Sequence, residues 1–288
     1  MIDYLNLSET TKTEIQGYSV AKVIFQDKNS VSENETILRI GDADGVLGSW
    51  NSIITKRILD LCLNIKYIGI CGTSITNIDV DEIKRRGIVL KNVVDYGDEA
   101  TAEFIFAQLL ILFRGFGKYQ WDSVMPAELN GKSIGIVGLG AVGRQIARLA
   151  LGFNMKVSYF SRTRRPEWEA KGLIFKDLDD LLSSCDIITI HVPRNTMVLG
   201  KHEFELIKEG SILVNTAIGT VFDLDSFISW IKKGTNFFII DDQIYIDQIR
   251  NLPNVIALSI TGGKTKESIE RLVKKIIENI KTSLVDIL

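Results

Sequence analysis

The chain has 288 residues, 45% apolar and 24% charged, with 34 basic and 36 acidic side chains and a formal charge of −2. That length exceeds one ordinary hydrophobic core, so two domains are expected, and the composition is far from that of a disordered segment. The balanced charge offers no basic face for nucleic acid or an anionic membrane, and no apolar run reaches the roughly 18 residues of a spanning helix. Three cysteines, Cys62, Cys71 and Cys185, show no CxxC spacing. They suggest buried thiols in a reducing compartment and no metal site, so a cytoplasmic protein is expected.

From Ala21 onward, short apolar runs alternate with helical patterns: AKVIF, DGVLGSW, the periodic ITKRILDLCL, KYIGIC, DVDEIKRRG and IVLKNV. Such alternation predicts βα units around a parallel sheet. Asp79 suits the N-cap of the helix that follows it, and Gly87 suits the left-handed residue that closes that helix. Residues 1–96 are therefore expected to form a small α/β domain. A long helix is predicted from Glu99 to Phe116, with Phe104, Ile105, Leu109, Leu112 and Phe113 on its apolar side. That side suits domain packing or a dimer contact.

A second series begins at SIGIVG and continues through a helix from Ala141, KVSYF, a helix near Asp177, DIITIHVP, a helix near Glu203, SILVN, a helix from Asp223, NFFIID and NVIAL. It is long enough for a complete doubly wound dinucleotide domain. The segment Lys266 to Val285 predicts a closing helix that crosses back onto the first domain. The fold expected is thus α/β, with two doubly wound parallel-sheet domains of Rossmann-like or flavodoxin-like type: residues 1–96 plus 264–288, and residues 97–263.

Between the strand Ile134–Val137 and the helical run from Arg144 stands Gly138-Leu-Gly140-Ala-Val-Gly143. In that context the first glycine allows a tight turn, the second lets the backbone approach a pyrophosphate, and the third permits close helix packing. About 20 residues on, where an NAD site carries a carboxylate for the ribose 2′-hydroxyl, the next strand ends in Ser161-Arg162-Thr163-Arg164-Arg165. A hydroxyl beside guanidinium groups suits a 2′-phosphate, which a carboxylate would repel. NADP(H) is therefore the favoured cofactor; a solvated basic turn would still tolerate NAD(H).

From about Asp42 to Gly263 the sequence resembles the D-isomer-specific 2-hydroxyacid dehydrogenases, the family of glycerate, glyoxylate and phosphoglycerate dehydrogenases. The matching stretches include DGVLGSW, NIKYIGICGTSITNIDVDEIKRRGIVLKNV, ELNGKSIGIVGLGAVGRQIARLALGFNMKVSYFSRTRRPE, DLDDLLSSCDIITIHVP and LPNVIALSITGG. The resemblance implies a substrate domain built from both ends of the chain, a nucleotide domain inserted between them, an active site in the cleft, and a homodimer formed through the nucleotide domain. It implies that Ala141 and Val142 join the glycines at the pyrophosphate and that His191, Val192 and Pro193 line the adenosine side. Asn215, Thr216 and Ala217 would approach the nicotinamide, and Asp242 would take its carboxamide, although Asp241 beside it leaves that register open. The turn holding Thr73 and Ser74 would offer backbone N–H groups to a substrate anion.

Members of that family reduce a 2-oxo acid with an arginine in the motif NTARG, a histidine in PNVxxxPHxGG and a glutamate that keeps the histidine charged. The needs are physical: a bidentate cation orients a carboxylate, and a group titrating near neutrality passes a proton. This chain has Ile218 at the arginine position, Ile260 at the histidine position and Asp247 at the glutamate position. Its two histidines, His191 and His202, fall elsewhere. Lys264, Tyr96 and Tyr245 are the weak titratable candidates for a changed reaction, each with a more ordinary reading as a surface or packing residue. Two accounts follow: an NAD(P)(H)-dependent oxidoreductase acting on a less polar or already activated small-molecule substrate, or a non-catalytic dinucleotide-binding protein with no substrate. Weak residual activity on glyoxylate or hydroxypyruvate is a third.

Overall fold

A computed structural model describes residues 1–116, 125–241, 246–258 and 262–287, with the backbone alone at 246 and 284–287. The chain divides into two compact units, Met1–Tyr96 with Lys266–Leu288, and Gly97–Thr265. Among the described residues no helix is long and apolar enough to cross a membrane.

The first unit opens with α1 (Glu9–Gln16) and α2 (Glu33–Ile40), then runs β1 (Gly45–Ser49), α3 (Lys56–Leu61), β2 (Tyr67–Cys71), α4 (Val80–Arg85) and β3 (Val89–Asn92). Each of these helices begins at a side-chain cap, from Ser8, Ser32, Thr55 and Asp79, whose oxygens accept otherwise orphaned N–H groups. The strands form a parallel sheet in the order β1-β2-β3. β2 is buried throughout, as a strand covered on both faces must be, and Ile54, Ile58, Leu59, Ile68 and Ile70 form the core beside it. The run Ala21–Phe25, expected as a strand, joins no ladder. The Ile2 N–H donates to Leu47 O of β1, and the run bonds outside any ladder: Val23 N–H donates to Gln16 Oε1 at 2.8 Å and Ile24 O accepts from the Met1 amino group at 2.8 Å.

The second unit starts with α5 (Asp98–Arg114), closed by Gly115 in the left-handed conformation. It continues through β4 (Ser133–Val137), α6 (Ala141–Gly152), β5 (Lys156–Phe160), α7 (Pro166–Glu169), β6 (Ile174–Phe175), α8 (Leu178–Ser184), β7 (Ile187–Ile190) and α9 (Lys201–Leu206). β8 (Ile212–Asn215), α10 (Leu224–Ile231), β9 (Phe237–Asp241), α11 (Ile246–Ile249) and β10 (Val255–Leu258) complete it. These strands make one parallel sheet, ordered β10-β9-β8-β7-β4-β5-β6. The order reverses between β4 and β7, and in such sheets ligands lie at the carboxyl ends of the strands flanking that point. One apolar layer joins α5 and α6 to the sheet through Ile105, Leu109, Leu112, Ile146 and Ala150, and the other contains Phe204, Phe222, Phe227 and Trp230.

The closing helix α12 (Lys266–Ile287) returns to the first unit. Ile276, Ile277 and Ile280 join Leu47, Tyr67, Cys71 and Val93 in one buried cluster. Polar groups fix its register: Arg271 Nε donates to Tyr96 O at 2.9 Å, Lys275 Nζ to Val94 O at 2.7 Å, and Asn279 Nδ2 to Asn92 O at 3.0 Å.

Candidate dinucleotide and active site

At the end of β4 the three glycines meet three different constraints. Gly138 has φ +101°, and a Cβ there would collide with the carbonyl oxygen of His191. Gly143, inside α6, lies so close to the Gly138 carbonyl that any side chain would strike it. Gly140 caps α6 with an ordinary φ of −80°, and a Cβ there would meet nothing within 4 Å. The first and third glycines are thus required by the protein itself, whereas the second borders open space. That is the pattern of a backbone cradle for a pyrophosphate at a helix N-terminus, and the residues present fit a dinucleotide. Ala141 and Val142 are half-buried in the first turn of the helix.

The basic turn after β5 is not a set of equivalent cations. Arg164 is held by Glu169, with Nε to Oε1 at 2.8 Å and Nη2 to Oε2 at 2.7 Å, and it lies over the Phe175 ring. The Tyr159 hydroxyl, fully buried, donates to Glu169 Oε1 at 2.8 Å and accepts the Arg165 N–H at 2.7 Å. Arg164 first, and Tyr159 second, hold the Glu169 carboxyl below the usual carboxylate range. Ser161 is half-buried, while Arg162 and Thr163 are exposed.

The ends of β7, β8 and β9 bring further predicted residues side by side. His191 N–H donates to Val137 O at 2.7 Å; Thr189 Oγ1 lies 2.6 Å from its Nε2 and Thr216 Oγ1 3.5 Å from its Nδ1. Burial pushes the imidazole down to about 3, so it is neutral near pH 7 and supplies no proton. Val192 is half-buried and Pro193 exposed. Asn215 is buried, and its Oδ1 accepts the Ala217 N–H at 3.1 Å, which bends the chain beyond β8. Half-buried Ile218 follows, then Gly219 at φ +96°, packed so tightly on Asn195 that a side chain would collide with it. Asn195 Oδ1 also accepts the Thr220 N–H at 3.2 Å, so the loop bearing Ile218 is clipped to the loop after His191.

Asp242, Tyr245 and Ile260 lie outside the described residues. Asp241 is described: it is buried at the end of β9, and its Oδ2 accepts the Gly262 N–H at 2.7 Å. The adjacent aspartates in the sequence left that assignment open, and the strand's burial alternation carries no marker to resolve it. Asp247 is 91% exposed and pairs with Arg250 at 3.4 Å, on α11. Lys264 is exposed, and Tyr96 is half-buried with its carbonyl accepting from Arg271. His202 is on the surface, paired with Asp179 at 3.0 Å. In the first unit, Thr73 Oγ1 donates to Val93 O at 3.1 Å and Ser74 Oγ pairs with Thr76 Oγ1 at 3.0 Å.

The family model for the NAD-binding domain of D-isomer specific 2-hydroxyacid dehydrogenases matches residues 113–258. The chain is 28% identical over 282 residues to the glyoxylate reductase of Thermococcus litoralis, covering 89% of this chain and 85% of that protein. It is 31% identical over 253 residues to a Schizosaccharomyces pombe protein assigned to the 2-hydroxyacid dehydrogenases, covering 81% and 75%. Among solved structures, an acyclic imino acid reductase in complex with NADPH and D-Arg is 27% identical, with 99% and 96% of the two chains covered and a TM-score of 0.87. The D-lactate dehydrogenase of Aquifex aeolicus, 23% identical with a TM-score of 0.81, shares the fold. With a glycine cradle at the switch point of a seven-stranded parallel sheet, the chain binds a nicotinamide dinucleotide and belongs to the D-isomer-specific 2-hydroxyacid dehydrogenases.

Proposed function

We propose that this protein is an NADPH-dependent reductase whose substrate is an already activated C=N bond, an iminium formed from a 2-oxo acid and an amine, with little activity on the free 2-oxo acid. The observation that carries this reading is Ile218, at the position where related enzymes place arginine, on a loop fixed by Asn215, Gly219 and Asn195. An isoleucine neither orients a carboxylate nor polarises a ketone, and the histidines supply no replacement acid: His191 is held neutral and His202 is on the surface.

The chemistry of the two acceptors differs in the way those substitutions require. A ketone that takes up a hydride becomes an alkoxide, which needs a proton from the site and a cation nearby. An iminium carbon takes the same hydride while its π pair passes to nitrogen, leaving a neutral amine without a proton donated by the protein. A guanidinium beside that cation would be repulsive, whereas an isoleucine is not. Bound reduced nicotinamide would supply the hydride. The solved imino acid reductase, with its NADPH, supports the same reading. Cofactor preference follows from the end of β5, where the sequence has Ser161 and Arg162 rather than a carboxylate, and these would hold a 2′-phosphate. The Thr73–Ser74 turn would receive the substrate carboxylate through backbone N–H groups. We further propose that the chain is a homodimer.

The test is NADPH oxidation with glyoxylate, pyruvate or hydroxypyruvate, alone and with excess ammonia or methylamine. Turnover should rise at least about a hundredfold when the amine is present, the least that loss of one general acid or charge stabiliser costs the free acid. Equal turnover with the free acids would overturn the proposal. No turnover with any of them, despite tight NADPH binding, would favour the non-catalytic dinucleotide-binding reading.

A further inference from the structure

The sequence SRTRR places five polar or cationic side chains around the expected 2′-phosphate, but the structure separates them. Arg164 and Glu169 form a two-bond ion pair that adds no net charge to the turn. Arg162 is exposed and has no hydrogen bond or ion pair among the described residues. Arg165 is half-buried, and its Nε–H is shielded from solvent yet donates to no acceptor. A shielded guanidinium N–H without an acceptor is costly unless a ligand completes it. Two cations, Arg162 and Arg165, are therefore left to balance a phosphate monoester that carries about 1.5 to 2 negative charges near neutrality.

The Arg165 carbonyl is held at the start of α7 by the Trp168 N–H at 2.9 Å and the Glu169 N–H at 3.2 Å, and its N–H side is held by the Tyr159 hydroxyl. That hydroxyl accepts the Arg165 N–H at 2.7 Å, while its own proton goes to Glu169 at 2.8 Å. Its ring is anchored, fully buried and edge-on to Phe175 with centroids 5.4 Å apart. A phenylalanine would fill the same space but leave the Arg165 N–H without this acceptor.

We propose that Tyr159 is a positioning residue for cofactor choice: its hydroxyl holds the Arg165 backbone so that Arg165, with Arg162, takes the 2′-phosphate, while Glu169 withholds Arg164 from it. The inference rests on the NADPH preference proposed above and assigns that preference to particular atoms.

Calorimetric affinities for NADPH and NADH test it in the full chain. The wild type should bind NADPH more tightly. Tyr159→Phe and Arg165→Ala should each weaken NADPH about tenfold or more, the scale of one charge-assisted hydrogen bond, and leave NADH unchanged. Arg164→Gln with Glu169→Gln removes both charges but keeps an acceptor for the tyrosine proton, so its NADPH-to-NADH ratio should stay within about twofold of wild type. An unchanged ratio in Tyr159→Phe or Arg165→Ala, or a loss in the double variant as large as that in Arg165→Ala, would overturn the proposal. If Tyr159→Phe does not fold, Arg165→Ala and the double variant decide it, since both leave the buried ring in place. Equal wild-type affinities would overturn the NADPH reading itself, and this inference with it, whereas a wild-type preference that survives the variants would sink only this inference.

Discussion

Gly138 and Gly140 are two residues apart, yet alanine should act on them in opposite ways. At Gly138, a positive φ and the His191 carbonyl leave no room, so Gly138→Ala should lower the melting temperature by several degrees, the effect of a loss of about 1–3 kcal/mol. At Gly140 the backbone is ordinary and the neighbourhood open, so Gly140→Ala should melt as wild type while losing affinity for NADPH at least about tenfold. Thermal denaturation and calorimetry on both variants check the pair, and a Gly140→Ala protein that binds normally would remove the pyrophosphate from that cradle. His191 gives the complementary test through pH. Its folded value near 3 lies below the ordinary 6.5, so between those values the unfolded chain takes up a proton that the folded chain refuses. Stability should therefore fall as pH drops through that window, by roughly 2–3 kcal/mol at about pH 4.5. His191→Gln should show a fall smaller by that amount in urea titrations; an equal fall in both proteins would assign it to other groups.

At the scale of elements, α5 is apolar on nearly every side. Ala102, Ile105, Phe106, Leu109, Leu112 and Phe113 are buried within the second unit, while Ile111 and, just past the helix, Phe116 remain 39% and 70% exposed. Apolar side chains left outside the unit's own core suit the proposed homodimer. Sedimentation at micromolar concentration should give about twice the chain mass, and Ile111→Glu should shift it toward the monomer; a monomeric wild type would discard the idea. The order of βα elements in this unit was legible because its strands are unbroken apolar runs, punctuated by glycines and helix caps. Two kinds of element were not. The run Ala21–Phe25 carries a strand's composition but finds no ladder partner, because partner supply is a tertiary property. β6, only Ile174–Phe175, is too short to show a period. In the site, the glycines could be read from their spacing, and the missing arginine from the motif that the family resemblance implies. The division of labour among Arg162, Arg164 and Arg165 could not, because it depends on Glu169 and Tyr159 reaching the turn from α7 and β5.

On the scale of the whole molecule, the first unit is assembled from two stretches of chain separated by the second. α12 covers Tyr67, Cys71 and Val93, and burial raises the Cys71 thiol to about 12. A chain stopped after Thr265 should therefore expose Cys71 to a thiol reagent that leaves it untouched in the full protein. Cys185, buried in the second unit at 1% exposure, should stay protected in both. Protection of Cys71 in the shortened chain would mean that the first unit stands without its final helix.

The same split has a consequence in time. A ribosome that has made residues 1–96 must still add 97–265 before any of α12 exists. At about 5–20 residues per second that is a wait of roughly 10–30 s. During it the nascent first unit presents the apolar surface of β2 and β3 to the cell, while the second unit, continuous in sequence, is free to fold. The dinucleotide cradle is thus made from a single uninterrupted stretch, and the other unit is finished only after it. A holdase that grips newborn chains should accordingly select the N-terminal third, and release it once α12 has emerged.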